Sequence, residues 1–371
     1  MLNVSQSKIK YIHMEDLLKE ELLSGKFRQG DLFYTEKELM AKYKVSYATV
    51  SRTMKNMTAK GFFERHRGLG TIICQIPSIS KDLLALQTLY FNGINSLEEH
   101  RNITPFSWFV MEEIQRGVIN SWPGNVRICD LREIVKRASD GEKINVVFLS
   151  PWKEFEEKIR DMKGLYTIVN LARYFSLPYN SVMPDFLLGV YNMVSYLIRE
   201  FGHRKIAFIG GETSNYHADR FAGYKLALES NFISFRKDYC ARGIEYPQTG
   251  NFDISIAQKD AYDAMKKFLK LKEPPTAVFA DTDLKALGAI RAIQDSGLRV
   301  PEDISVAGFD NIPSIEENPV KLTTVNLPLA SLGEKAVDML IERILNKGKN
   351  ISSVTVYGEI IMRNSCGPVK Q

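Results

Sequence analysis

Residues 275–293 read P-T-A-V-F-A-D-T-D-L-K-A-L-G-A-I-R-A-I, and residues 300–310 read V-P-E-D-I-S-V-A-G-F-D. Thr276–Ala280 is a short apolar run of the kind that fills a doubly covered strand. Asp283–Asp295 carries apolar residues at helical spacing, and Ile304–Phe309 is a second buried strand. Strand, helix, strand at this spacing makes a parallel pair with a crossover helix. The fold class that follows is α/β with parallel sheets.

The same alternation extends outward. Upstream are strand candidates at Lys205–Gly210, Tyr166–Leu171, Ile144–Leu149, Val126–Leu131 and Leu83–Tyr90. Helix candidates at Ala257–Leu269, His217–Ser230, Asp185–Phe201 and Phe106–Asn120 lie between or beside them. Downstream, Leu329–Leu345 reads as a helix and Val354–Met362 as one final strand. Nearly 300 residues exceed one comfortable core, so this body is expected to form two lobes.

The 371 residues are 44% apolar and 25% charged, which excludes disorder, a collagen repeat or a long coiled coil for most of the chain. No run of 18 apolar residues suggests a membrane span, and the N-terminus turns charged too early for a secretory h-region. Four widely spaced cysteines, Cys74, Cys129, Cys240 and Cys366, fit neither a disulfide framework nor structural zinc. A reducing cytoplasm is the expected compartment.

The charge is uneven. Residues 1–75 hold 13 Lys and Arg against 8 Asp and Glu, while the remainder holds 36 of each. The whole excess of +5 therefore lies in the first fifth, as expected of a polyanion-binding head on a neutral body. That head begins with an apolar helical face at Tyr11, Met14, Leu18 and Leu22. Thr35 with Glu38 reads as a capping box that opens a short helix. Ser46 caps another, running to about Lys60, with Val50, Met54 and Met57 inward and Tyr47, Ala48, Ser51, Arg52 and Lys55 outward. Phe62–Arg67, Gly68-Leu69-Gly70 and Thr71–Ile73 then read as strand, turn, strand. Helix-turn-helix followed by a basic hairpin is a winged-helix layout, whose second helix fits a major groove.

T-E-K-E-L-M-A-K-Y-K-V-S-Y-A-T-V-S-R (35–52), the G-F-F at 61–63 and G-L-G-T-I-I (68–73) resemble the winged helix of gluconate-repressor-type (GntR) regulators. The resemblance implies a DNA-binding domain over 1–74, with contacts from Thr35, Glu36, Ser46, Tyr47, Thr49, Ser51, Arg52, Arg67 and Gly68. That family commonly carries DNA-contacting arginines at the positions of Tyr47 and Ser51; here Arg52, one residue on, is the nearest substitute. Residues 75–81 read as a linker.

E-F-G-H-R-K-I-A-F-I-G-G (200–211), A-D-R-F-A-G-Y-K-L-A-L (218–228) and the two stretches quoted first are similar to the effector domain of the lactose/galactose-repressor (LacI/GalR) family. That resemblance implies a periplasmic-binding-protein-like body over 82–371 that takes a small ligand between its lobes. Chain crossings are expected near 201–204, 322–327 and 350–353. Lobe 1 would then hold 82–201 with 326–350, and lobe 2 would hold 202–323 with 353–371. Arg220 would fork two donors onto the ligand, because its planar guanidinium matches vicinal hydroxyls or a carboxylate. Asp310, at a strand end, would accept from hydroxyls. Thr282 stands where the family often has Asn, and Asp283 either contacts ligand or caps the next helix. Phe252 and Phe106 would stack on a sugar ring, and Arg173 lies at another strand end.

No nucleophile–base pair, metal-ligand spacing, P-loop or dinucleotide fingerprint is present, so neither an enzyme nor a cofactor nor a metal is expected. The joint reading is a homodimeric repressor of carbohydrate-utilisation genes, similar to arabinose-repressor-type regulators and released from near-palindromic operator DNA by a sugar. Two alternatives stay open: a ligand that promotes DNA binding, and a cytoplasmic sugar-binding protein without DNA function.

Overall fold

The computed structural model describes residues 14, 15, 17–19, 21, 22, 26–66, 68–74, 82–87, 105–122, 125–129, 131–142, 144–149, 164–169, 179–211, 215–242, 254–313, 319–346 and 351–370. Within the head, helices α1 (Glu36–Tyr43) and α2 (Tyr47–Ala59) precede a hairpin of β1 (Phe63–His66) and β2 (Gly70–Ile73). Leu18, Leu22, Leu39, Val50, Met54, Met57, Phe63 and Ile73 form its core. Phe33 stacks on Phe63, with ring centroids 4.5 Å apart. Leu32 bridges to Ile72, which makes the segment before α1 a third strand edge of the wing.

The body holds two six-stranded sheets. The first runs β13-β7-β6-β5-β3-β4, from β3 (Asp82–Gln87), β4 (Asn125–Cys129), β5 (Ile144–Leu149), β6 (Gly164–Val169), β7 (Asn180–Pro184) and β13 (Ser353–Val356), all parallel. The second runs β14-β12-β11-β10-β8-β9, from β8 (Ile206–Ile209), β9 (Cys240–Ala241), β10 (Ala277–Ala280), β11 (Ser305–Asp310), β12 (Thr323–Asn326) and β14 (Glu359–Ile361). Among the described strands of this sheet, only β14 is antiparallel to its neighbour. Central strands β5, β8, β10 and β11 are buried along their whole length, as the continuous apolar runs imply.

Helices cover the sheets: α3 (Pro105–Ser121), α4 (Leu131–Ser139), α5 (Phe186–Arg199), α6 (Asn215–Ser230), α7 (Ile254–Phe268), α8 (Asp283–Gln294) and α9 (Leu329–Asn346). Packing fixes which lobe each belongs to. α5 packs on α6 and on β12 and β14, so it is part of the second lobe. Its start is set by Asp185, whose side chain accepts from the Leu188 amide at 2.8 Å. The first crossing therefore lies at Pro184–Asp185, not near 201–204. The second is at Leu327-Pro328, after which α9 packs on α3 and on β5, β6 and β7.

The third crossing also moves. Val354–Met362 is two strands, β13 on the first sheet and β14 on the second, with Tyr357-Gly358 between them. A Cβ on Gly358 would stand 2.9 Å from the Asn326 carbonyl oxygen, so the second and third crossings touch there. Helical periodicity reveals a buried face but not which sheet the face covers, which is why α5 was misassigned.

Candidate functional site

In the head, Ser46 opens α2, its Oγ accepting from the Thr49 amide at 3.3 Å and lying 3.0 Å from Thr49 Oγ1. Val50, Thr53, Met54 and Met57 turn inward. Tyr47, Ala48, Arg52 and Lys55 turn outward, with Tyr47 59% exposed, and no residue of the helix is acidic. Ser51 is half-buried at the edge of this face. A helix whose first two turns expose a Tyr and an Arg can reach base edges in a major groove.

Thr35 and Ser46 spend their hydroxyls on helix starts. Thr35 and Glu38 make the reciprocal box, with the Thr35 amide donating to Glu38 at 2.7 Å. Glu36 accepts from Arg65 of β1, which ties the start of α1 to the wing. Gly68 adopts φ +85° and a Cβ there would meet nothing within 4 Å, so the turn needs its backbone freedom rather than its lack of bulk. Arg67, beside it, lies outside the described residues.

A second constellation lies where β8, β10 and β11 end. Arg220, 3% exposed on α6, donates to Asp310 Oδ1 at 2.8 Å and also to the Asp281 carbonyl. Its guanidinium lies 4.0 Å from the Phe309 ring centroid and 5.0 Å from that of Phe186. Sequence reading named Arg220 and Asp310 separately; the fold brings them into one buried pair. Burial pushes the Asp310 carboxyl up to about 6, against the opposing pull of Arg220.

Asp283 was expected either to contact ligand or to cap α8, and the cap is not Asp283. Thr282 is the cap, its hydroxyl accepting from the Lys285 amide at 3.4 Å. Asp283, fully buried, accepts from the Ile312 amide at 2.9 Å and from Thr324 Oγ1 at 2.5 Å. Burial, reinforced by Asp310, raises its pKa well above its ordinary value. A Cβ on Gly308 would meet this carboxyl at 2.3 Å, so only glycine leaves it room.

Three residues went unnamed in the sequence. Asp281 Oδ1 accepts from Lys285 Nζ at 2.7 Å, with both side chains fully buried. Asp281 Oδ2 accepts from the Gly211 amide at 2.9 Å and lies 2.5 Å from His217 Nδ1. Burial alone would raise the Asp281 pKa, but Lys285, His217 and Arg220 outweigh it and hold it below the usual range. Burial lowers the His217 pKa against the opposing pull of Asp281, and Nδ1 donates to the ionised Asp281 carboxylate. A Cβ on Gly211 would strike that ring at 2.5 Å. The cluster clamps the β8–α6 loop to the β10–α8 loop and holds Arg220 between them. The available signal was an Asp and a Lys four apart beside an apolar strand, in a segment with no polar face to carry the lysine.

Phe252 and Arg173 lie outside the described residues, and Phe106 falls in the first turn of α3 with its side chain undescribed. Among the described residues, no group of three His, Cys, Asp or Glu could hold a metal, and no helix is long and apolar enough to cross a membrane.

Residues 10–73 match the bacterial regulatory proteins of the gntR family, and residues 195–366 match the periplasmic binding protein-like domain. The HTH-type transcriptional repressor PurR of Klebsiella pneumoniae is 37% identical over 187 residues, covering 50% of this chain and 51% of that protein. The PurR of Erwinia tasmaniensis is 38% identical over the same shares. The chain thus spans about half the length of the curated relatives it matches. Among solved structures, a LacI-family regulatory protein from Chloroflexus aggregans superposes with TM-score 0.58 at 20% identity, covering 78% of this chain and 99% of that one. A LacI-family transcriptional regulator from Enterococcus faecium with bound ribose gives 0.56 at 20%, covering 78% and 100%. At that identity the likeness carries the fold of the body.

Proposed function

We propose that this chain, which joins a gntR-type head to a periplasmic-binding-protein-like body, is a ligand-responsive transcriptional regulator and not an enzyme. The observation that carries the reading is the union of two sites in one polypeptide. One is an acid-free helix face presenting Tyr47, Arg52 and Lys55 beside a wing. The other is a strand-end site with a buried Arg220–Asp310 pair. The named repressors and the ribose-bound neighbour support the same reading.

The mechanism has four links. The protein dimerises through its body, so two heads meet two half-sites of a near-palindromic operator. A small polyhydroxylated ligand, a sugar by its chemistry, enters where β8, β10 and β11 end. It is held by Arg220 donating and Asp310 accepting, with a ring-stacking aromatic supplied by Phe106 or Phe252. Ligand then favours one arrangement of the two lobes, which changes head spacing and releases the operator. A coupling of about 1–3 kcal/mol changes operator affinity roughly 5–150-fold.

The test is thermal unfolding of the full chain against pentoses, hexoses, their acids and their phosphates. A ligand at about 100 times its dissociation constant adds about 2.7 kcal/mol of stability. The reading expects a hit that vanishes in Arg220→Ala while DNA binding without ligand persists. A hit that survives Arg220→Ala places the ligand elsewhere.

A further inference from the structure

β11 ends in an unusual turn. Asp310 has φ +108° and Asn311 φ +52°, two consecutive non-glycine residues in the left-handed region. Asn enters that region with little penalty, whereas Asp at +108° is strained and must be held there by its surroundings. Arg220 holds the Asp310 side chain, and Asp283 holds the turn from below through the Ile312 amide.

What the turn touches is the path between lobes. Asn311 Nδ2 donates to Asn326 Oδ1 at 3.1 Å, and Asn311 Oδ1 accepts from Arg363 at 2.8 Å. Asn326 is the last residue of β12, immediately before the Leu327-Pro328 crossing. Arg363 follows β14, the strand reached through the Tyr357-Gly358 crossing, and it also donates to the Leu322 carbonyl at 2.8 Å. The Asn311 side-chain amide therefore links the turn that follows Asp310 to both returning segments.

We infer that Asn311 is a positioning residue that transmits the state of the Arg220–Asp310 site to the two crossings at 327–328 and 357–358. It acts through Asn326 and Arg363. When Asp310 takes or loses a partner the turn shifts, and the side-chain amide pulls both crossings with it. The inference deepens the regulator reading and rests on it for its purpose, but its test needs neither DNA nor effector.

That test is hydrogen exchange of the backbone amides over 324–330 and 356–361 in four full-length proteins: the parent, Asp310→Asn, Asn311→Gly and the double variant. Glycine keeps the φ of +52° and removes only the amide, so the turn itself survives. In the parent, Asp310→Asn is expected to raise exchange at the crossings by about fivefold, the lower end of ordinary site-to-site coupling. In the Asn311→Gly background the same change should add less than about twofold, because the link is gone. Equal increments in both backgrounds, or none in either, overturn the inference. Should Asp310→Asn fail to fold by thermal melting, Arg220→Lys perturbs the same pair with the charge retained.

Discussion

Lys285 is fully buried against an equally buried Asp281. Breaking such a pair on one side strands a charge, whereas removing both charges is far milder. Lys285→Met should therefore lose about 3–5 kcal/mol in urea unfolding, and Asp281→Asn with Lys285→Met should recover most of it. A loss under about 1 kcal/mol in the single variant would mean that water reaches Asp281. Arg52 belongs to the other site. Arg52→Ala should weaken binding to a selected duplex by about 1–3 kcal/mol and relax preference at one base position. An unchanged footprint and preference would remove Arg52 from the interface. Asp310 could be named as a carboxylate ending a buried strand, whereas Arg220, on α6, could be named only through the resemblance carried by 218–228. That the two pair is visible only in the fold. Asp281, His217 and Lys285 were not legible, because each is ordinary alone and only the fold makes them neighbours.

At the scale of elements, two helices cross at unusually close range. A Cβ on Gly117 of α3 would stand 1.9 Å from the Ala330 carbonyl oxygen, and one on Gly333 of α9 would stand 2.1 Å from that of Ile114. Gly117→Ala should force α3 and α9 apart and cost about 1–3 kcal/mol by overpacking, read as a lowered melting temperature. No change would show that α9 is free to slide on α3. Strands and helices from 200 onward were legible because doubly covered strands are continuous apolar runs and their helices carry a clear period. The lobe of α5 was hidden, since its apolar face at Val190, Met193, Val194 and Leu197 fits any sheet. The split of Val354–Met362 was hidden too. Alternation continues across Gly358, and only pairing with β7 on one side and β12 on the other separates the strands.

For the molecule as a whole, pH should set the effector affinity. Asp310 has a folded pKa of about 6, so it is ionised above that and neutral below it. A ligand whose hydroxyls donate to the carboxylate should bind fully above about pH 7 and lose affinity as pH falls through about 6. Asp310→Asn should flatten that profile at a weaker level, in calorimetric titrations from pH 5 to about pH 8. A flat profile in the parent would exclude the carboxylate as acceptor.

The most direct measurement of the regulator account is selection of duplexes from a random library by the full-length chain, followed by titration of the selected sequence at rising salt. The account predicts a paired, near-palindromic motif. It also predicts an affinity that falls about 10³–10⁵-fold between roughly 50 and 200 mM salt, as six to ten phosphate contacts require. No enriched sequence, or a binding constant indifferent to salt, would contradict it.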